Sequence, residues 1–311
     1  MPPSMSIVLD LTVIALANEP APLQDALQAA SILPWWAWVL LLFLVTFVLG
    51  VIAVIGGVGG GVLFVPIVGG LFPFHVDFVR GTGLLIALAG ALAAGPTLLR
   101  GGMANLRLAM PPALVASVAA IFGARIGLAL PDQMVQLALG ITILCVVAIM
   151  LISRKSANPD VPQADSLSAA LKMHGAYHDP FDNREVIWKI HRTPQGLALF
   201  VVIGILAGMF GIGAGWANVP VLNLVMGVPL KVSVGTSSFI LSIVDSAAAW
   251  VYLNQGAMLA IIAVPSVLGM MLGSTIGVGF LSSANVAVIR RIVLGLLLLA
   301  GVRALLRGFG M

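Results

Sequence analysis

The chain is poor in what a soluble enzyme uses. Of 311 residues only 8% are charged, two are tyrosine and one is cysteine. A soluble domain carries about 25% charged residues, so that class is excluded. The lone Cys145 rules out an intrachain disulfide, a CxxC redox pair and an iron–sulfur cluster held by this chain alone. His75, His174, His178 and His191 lack zinc-ligand spacing; His174 and His178 are four apart, but beside Gly175 in a polar stretch. No metal or cofactor is therefore expected. The apolar runs hold no cluster of Cys, His or carboxylate, so no catalytic residue is assigned and the chain is not expected to be an enzyme. The formal charge of +4 does not call for nucleic acid. The basic residues gather at the ends of apolar runs and in one loop, where membrane topology places them.

What is present is apolar: 60% of residues are hydrophobic. The runs exceed the roughly 20 residues that cross a bilayer as helix and lack the ~10-residue alternation of an outer-membrane barrel. The expected fold is all-α and polytopic, with the lipid bilayer as its surroundings. Residues 1–34 form an N-terminal segment. Its Ala15-Leu16-Ala17 resembles a signal-peptidase site without a basic region before it, so a cleaved leader and an uncleaved interfacial stretch both stand. Trp35, Trp36 and Trp38 mark a membrane interface. Residues 35–152 form a first transmembrane unit, 153–193 a charged linker and 194–311 a second unit.

Glycine supplies the organising pattern. Gly56-Gly57-Val58-Gly59-Gly60-Gly61 runs on to Pro66, and Gly211-Ile212-Gly213-Ala214-Gly215 runs on to Pro220. An offset of 154 residues superposes Gly57 on Gly211, Gly59 on Gly213, Gly61 on Gly215, Gly81-Thr82 on Gly235-Thr236, Pro111 on Pro265 and Gly123 on Gly277. Such matches fix backbone shape, and they indicate an internal duplication. Two readings apply to the motif glycines. They let helices pack closely, or they end a helix in mid-membrane and restart it as a half-helix, with the backbone lining a cavity. Two matched GxGxG runs, each leading to proline, favour the broken helix. No GxxxxGK[ST] loop or βαβ pattern supports a nucleotide site.

Arg100 and Arg107 place one turn in the cytoplasm, and the basic linker, Lys231 and Arg290-Arg291 follow. Each unit then has about five segments, an odd number, which inverts the second unit relative to the first. Arg303 and Arg307 fall on the opposite side and oppose this scheme. Inverted repeats with paired Gly-broken helices point to a secondary transporter with a midplane site.

Helix N-termini expose N–H groups and the positive end of the dipole, which suits an anion. The candidate site is Gly57, Gly59, Gly60, Gly61, Gly211, Gly213 and Gly215, with Asn218 where the first repeat has Phe64. Thr82, Thr236, Ser237 and Ser238 are either hydroxyl donors to an oxyanion or plain N-caps. Arg125 either attracts the anion or snorkels to the interface. Asp245, which corresponds to Ala91, either carries a coupled proton or is structural.

GGVGGGVLFVP at Gly56–Pro66 with GTG at Gly81–Gly83, GIGAGWANVP at Gly211–Pro220 with GTSS at Gly235–Ser238, the G-x-x-x-G at Gly123–Gly127 and Leu130-Pro131 resemble the TauE/SafE sulfite exporter family over roughly residues 40–306. The resemblance implies an inner-membrane permease for sulfite, thiosulfate, sulfoacetate or related organosulfonates, with export as the direction. A negative interior assists anion exit by about 2.3 kcal/mol per charge per 100 mV, so uptake would need coupling, for instance to protons. A passive anion channel and a non-transporting assembly subunit are the rival readings.

Overall fold

The computed structural model describes residues 35–56, 59–72, 74–100, 104–152, 159, 161, 163–179, 184–280 and 286–310. Among these, helices carry the architecture. The first unit contains α1 (Trp35–Gly56), α2 (Gly60–Leu71), α3 (Val76–Arg100), α4 (Leu106–Ala129) and α5 (Asp132–Ile152). The linker holds α6 (Ser166–Ala170) and an antiparallel hairpin of β1 (Gly175–Asp179) and β2 (Arg184–Trp188). The second unit contains α7 (Thr193–Phe210), α8 (Gly215–Pro220), a π-helical stretch over Val221–Val225, α9 (Leu230–Asn254), α10 (Ala260–Phe280) and α11 (Val286–Gly308). Seven of the helices are long and apolar enough to cross a membrane. The all-α polytopic fold expected from the sequence is the one found. Helix satisfies every backbone group within the segment, which lipid demands.

The packing pairs exchange between the units. α1 packs on α10 and α4 on α7, α3 on α10 and α4 on α9, while α3 meets α9 and α5 meets α11. Replacing each helix by its partner at the 154-residue offset returns the same set. The tightest contacts use the small-residue faces. A Cβ on Gly50 would lie 2.8 Å from the Met270 carbonyl of α10, and Gly204 and Gly208 press in the same way on Ala116 and Ala120 of α4. Close packing is therefore the role of these glycines, which lie outside the two motifs. Leu114, Val118 and Phe122 on α4 are exposed, as are their counterparts Leu268, Leu272 and Ile276 on α10. These are the faces that suit lipid.

Each long first helix is followed by a half-helix that turns back. Trp38 near the start of α1 packs at a tilt on Phe72 and edge-on to Phe74 beyond the end of α2, with ring centroids 5.8 Å apart in both pairs. Similarly, the His191 N–H donates to the Met226 carbonyl at 3.1 Å, which brings the end of the π-helical stretch beside the start of α7. Gly211 stops α7 in the left-handed conformation at φ 68°, its N–H bonded to Ala207 O at 2.9 Å. This is the usual glycine stop for a helix.

The linker packs on one end of the bundle. Met173, Trp188 and Ile190 join the same apolar core as α4, α7 and α9. Thr193 donates its hydroxyl to Asp165 at 2.8 Å and its N–H at 3.2 Å. At the far end the Arg80 guanidinium, 1% exposed, donates to Gly127 O of α4 at 3.1 Å and Met209 O of α7 at 3.0 Å. It also pairs with Asp77 and faces the Tyr252 ring at 5.9 Å. Tyr252 donates to Gly208 O at 3.0 Å. These donors satisfy carbonyls at two helix C-termini that would otherwise be buried unpaired.

Candidate functional site

The two breaks meet. Gly59 caps α2 at φ −62° and ψ 141°, and a Cβ built on Gly215 at the start of α8 would lie 3.5 Å from the Gly59 Cα. The first-turn N–H groups of Gly60 and Gly61 on α2, and of Gly215 and Trp216 on α8, have no carbonyl one turn earlier to bond. The non-helical stretch after α7 descends along one face of α3. Gly211 lies against Arg80 and Gly83, Ile212 against Gly61, and Gly213 against Ala87. Gly83 and Gly61 are required here because a Cβ on either would strike backbone; for Gly61 the Ile212 carbonyl would be 2.8 Å away. Ala87 stands eleven residues after the start of α3 and Leu241 eleven after the start of α9. At 1.5 Å per residue, each is about 16 Å along its helix.

Asp245 of α9 faces this junction. A Cβ on Gly213 would lie 3.0 Å from its Oδ2 and 2.9 Å from the Ala87 Cβ. Its side chain is wholly buried, and its carboxyl accepts a backbone hydrogen bond from Ala214, just before α8. One turn earlier on the same face, Leu241 places Cδ1 2.7 Å from the Cβ position of Gly215 and 3.7 Å from that of Gly59. Asn218 on α8 is wholly buried with both amide atoms unpartnered, and the Trp216 Nε1 is unpartnered too. Buried polar groups in proteins are nearly always paired, so Trp216 and Asn218 on α8 are among the groups that a polar ligand would satisfy.

The other candidates are placed as follows. Gly60 packs against Met270 and Ile86. Gly57 lies outside the described residues. Thr82 and Thr236 are each the seventh residue of their helices, because α3 and α9 begin at Val76 and Leu230. The N-cap alternative therefore does not apply to them. The Thr82 hydroxyl is buried and unpartnered, whereas Thr236 accepts the Asn105 N–H at 3.2 Å, near the linker. Ser237 is buried in α9, and Ser238 turns back to donate to Val234 O at 3.3 Å. Arg125 is exposed near the end of α4. Among the described residues no three His, Cys, Asp or Glu side chains cluster to hold a metal. Leu241 and Ala87 escaped the sequence reading, although the 154-residue offset pairs them as unequal counterparts.

A polytopic bundle with two broken helix pairs meeting at mid-length belongs to the architecture of membrane transporters. The profile of the family described as Sulfite exporter TauE/SafE matches residues 42–304, and the chain belongs to that family. It is also similar to the probable membrane transporter protein YunE of Bacillus subtilis (strain 168), 31% identical over 107 residues that cover 33% of this chain and 39% of that protein. The chain thus aligns with about two fifths of that relative's length. No solved structure matches the chain.

Proposed function

We propose that the chain is a secondary transporter of small sulfur-containing anions, sulfite-type oxyanions or organosulfonates, in the cell inner membrane. The observation that carries this reading is the Gly59–Gly215 junction, where the first turns of two half-helices abut beside unpartnered buried polar groups. Positive helix ends and bare N–H groups hold an oxyanion without a basic side chain. The two units act as inverted repeats, with the linker in the cytoplasm. Two facts support the inversion: the exchanged helix pairs, and the opposite directions of α3 and α9, of which α9 starts near the linker and α3 at the far end.

Asp245 gives the site its coupling. A carboxylate and a bound anion about 4 Å apart repel by about 4 kcal/mol at the effective dielectric of a protein site. Protonation of Asp245 removes that term, so proton and anion bind together. Export remains the direction implied by the family. The test is flux of sulfite, thiosulfate and sulfoacetate into proteoliposomes, with and without a pH gradient. Saturable flux accelerated by the gradient is expected, and Asp245→Asn should lose the acceleration. Linear, non-saturating flux would make the protein a channel, and an undiminished gradient effect in Asp245→Asn would leave that residue structural.

A further inference from the structure

The two halves of the junction are not equivalent, and the difference lies in one pair of residues. Ala87 and Leu241 occupy corresponding positions at the 154-residue offset. Ala87 lies beside Gly213 and leaves room for the Asp245 carboxyl, whereas Leu241 extends three more carbons across the Gly59–Gly215 contact. Leu241 and Asp245 are four residues apart and share a face of α9, as i and i+4 positions do. The starts of the half-helices are therefore faced by one side of α9, which presents a carboxyl beside Gly213 and, one turn earlier, an isobutyl group, 5% exposed, across Gly59 and Gly215. Among the described residues, the Leu241 side chain lies against both Gly59 and Gly215.

We infer that Leu241 sets the size limit of the anion site, admitting a bare oxyanion and turning away one that carries an organic tail. The inference rests on the transporter reading above. The mechanism is steric. The head group is held by N–H donors that every sulfur oxyanion can use, so discrimination comes from what stands beside the head: the Asp245 carboxyl acts on charge, and Leu241 acts on size. A methylene of misfit in such a pocket is worth about tenfold or more in selectivity.

The experiment compares sulfite with sulfoacetate, whose tail has two carbons, in proteoliposomes bearing the wild type, Leu241→Val or Leu241→Ala. The readout is the ratio of the two fluxes, which does not depend on how much active protein each preparation holds. The ratio of sulfoacetate to sulfite flux should rise in the order wild type, Val, Ala, by about tenfold or more at Ala. Leu241→Val keeps the test decisive if Leu241→Ala does not fold. An unmoved ratio, with the wild type transporting, would overturn the size limit and leave the transporter reading intact. A wild type that carries neither anion nor thiosulfate would overturn both.

Discussion

At the scale of single residues, the two motif copies make different demands on glycine. Gly213 sits at φ 72°, and a Cβ there would meet Ala87 and Asp245 at 2.9 and 3.0 Å. Gly59 has an extended conformation that any residue adopts, and a Cβ there would meet only ordinary contacts at 3.7 Å. Left-handed backbone alone disfavours a non-glycine residue by about 1 kcal/mol. Gly213→Ala should therefore lower the thermal unfolding temperature in detergent measurably, while Gly59→Ala should shift it little. Equal shifts would refute the asymmetry. The sequence treats these glycines as counterparts, because the offset aligns letters and cannot report which of them carries positive φ. Leu241 was illegible for another reason: a leucine in an apolar helix has no compositional contrast, and only its neighbours make it a boundary. Asp245 was legible, since a carboxyl in a span contrasts with everything around it.

At the scale of elements, the half-helices needed partners for both ends. α2 stops beside the start of α1, and its last carbonyls have no intrahelical donor. Arg307 of α11 supplies one, with Nη1 to Gly69 O at 2.7 Å and Nη2 to Gly70 O at 3.0 Å. This gives Arg307 a role at the end opposite the linker that a count of basic residues does not register. That rule weighs charge against the membrane and not carbonyls waiting for a donor. Arg307→Ala should destabilise the protein by about 1 kcal/mol, the order of a cation at a helix C-terminus. The check is thermal unfolding in detergent, with Arg307→Lys recovering part of the loss; no loss at all would mean that water serves those carbonyls equally well. Helix positions themselves were close to fully legible. Runs of apolar residues bounded by Gly, Pro and charge locate α1 to α5 and α7 to α11 within a few residues. The linker's β-hairpin was missed, since Tyr177, Val186, Ile187 and Trp188 are scattered in a charged stretch with no long alternation.

At the scale of the whole molecule, polar bonds such as those of Asp165 to Thr193 and of His191 to Met226 fasten the linker to the membrane part, and pH reaches one of them. Burial pushes the Asp165 carboxyl up, but the hydrogen bonds from Ser168 and Thr193 outweigh it and hold the group below the usual carboxylate range. A carboxyl depressed in the folded state stabilises fully above its unfolded value, and that contribution is lost as pH falls through the folded value. The linker should hence loosen below about pH 4. Hydrogen exchange over residues 163–179 and 184–192, taken relative to the intrinsic amide rate at each pH, should quicken with acid in the wild type. In Asp165→Asn it should be faster already at pH 7 and change less on acidification. A wild type and a variant that respond alike would remove Asp165 as the fastener.

The exchanged helix pairs also set the order in which the molecule can be made. α1 begins at Trp35, but the helix it packs on most closely, α10, begins at Ala260, 225 residues later. α4 must likewise wait for α7. While the ribosome is still working, the first unit sits in the bilayer with its small-residue grooves filled by lipid, and neither half can close a core by itself. Assembly is thus a late event that follows insertion. Synthesis cut short after residue 152 leaves inserted helices without a finished protein, whereas the two halves made as separate chains can still find each other, because each carries the surface the other lacks.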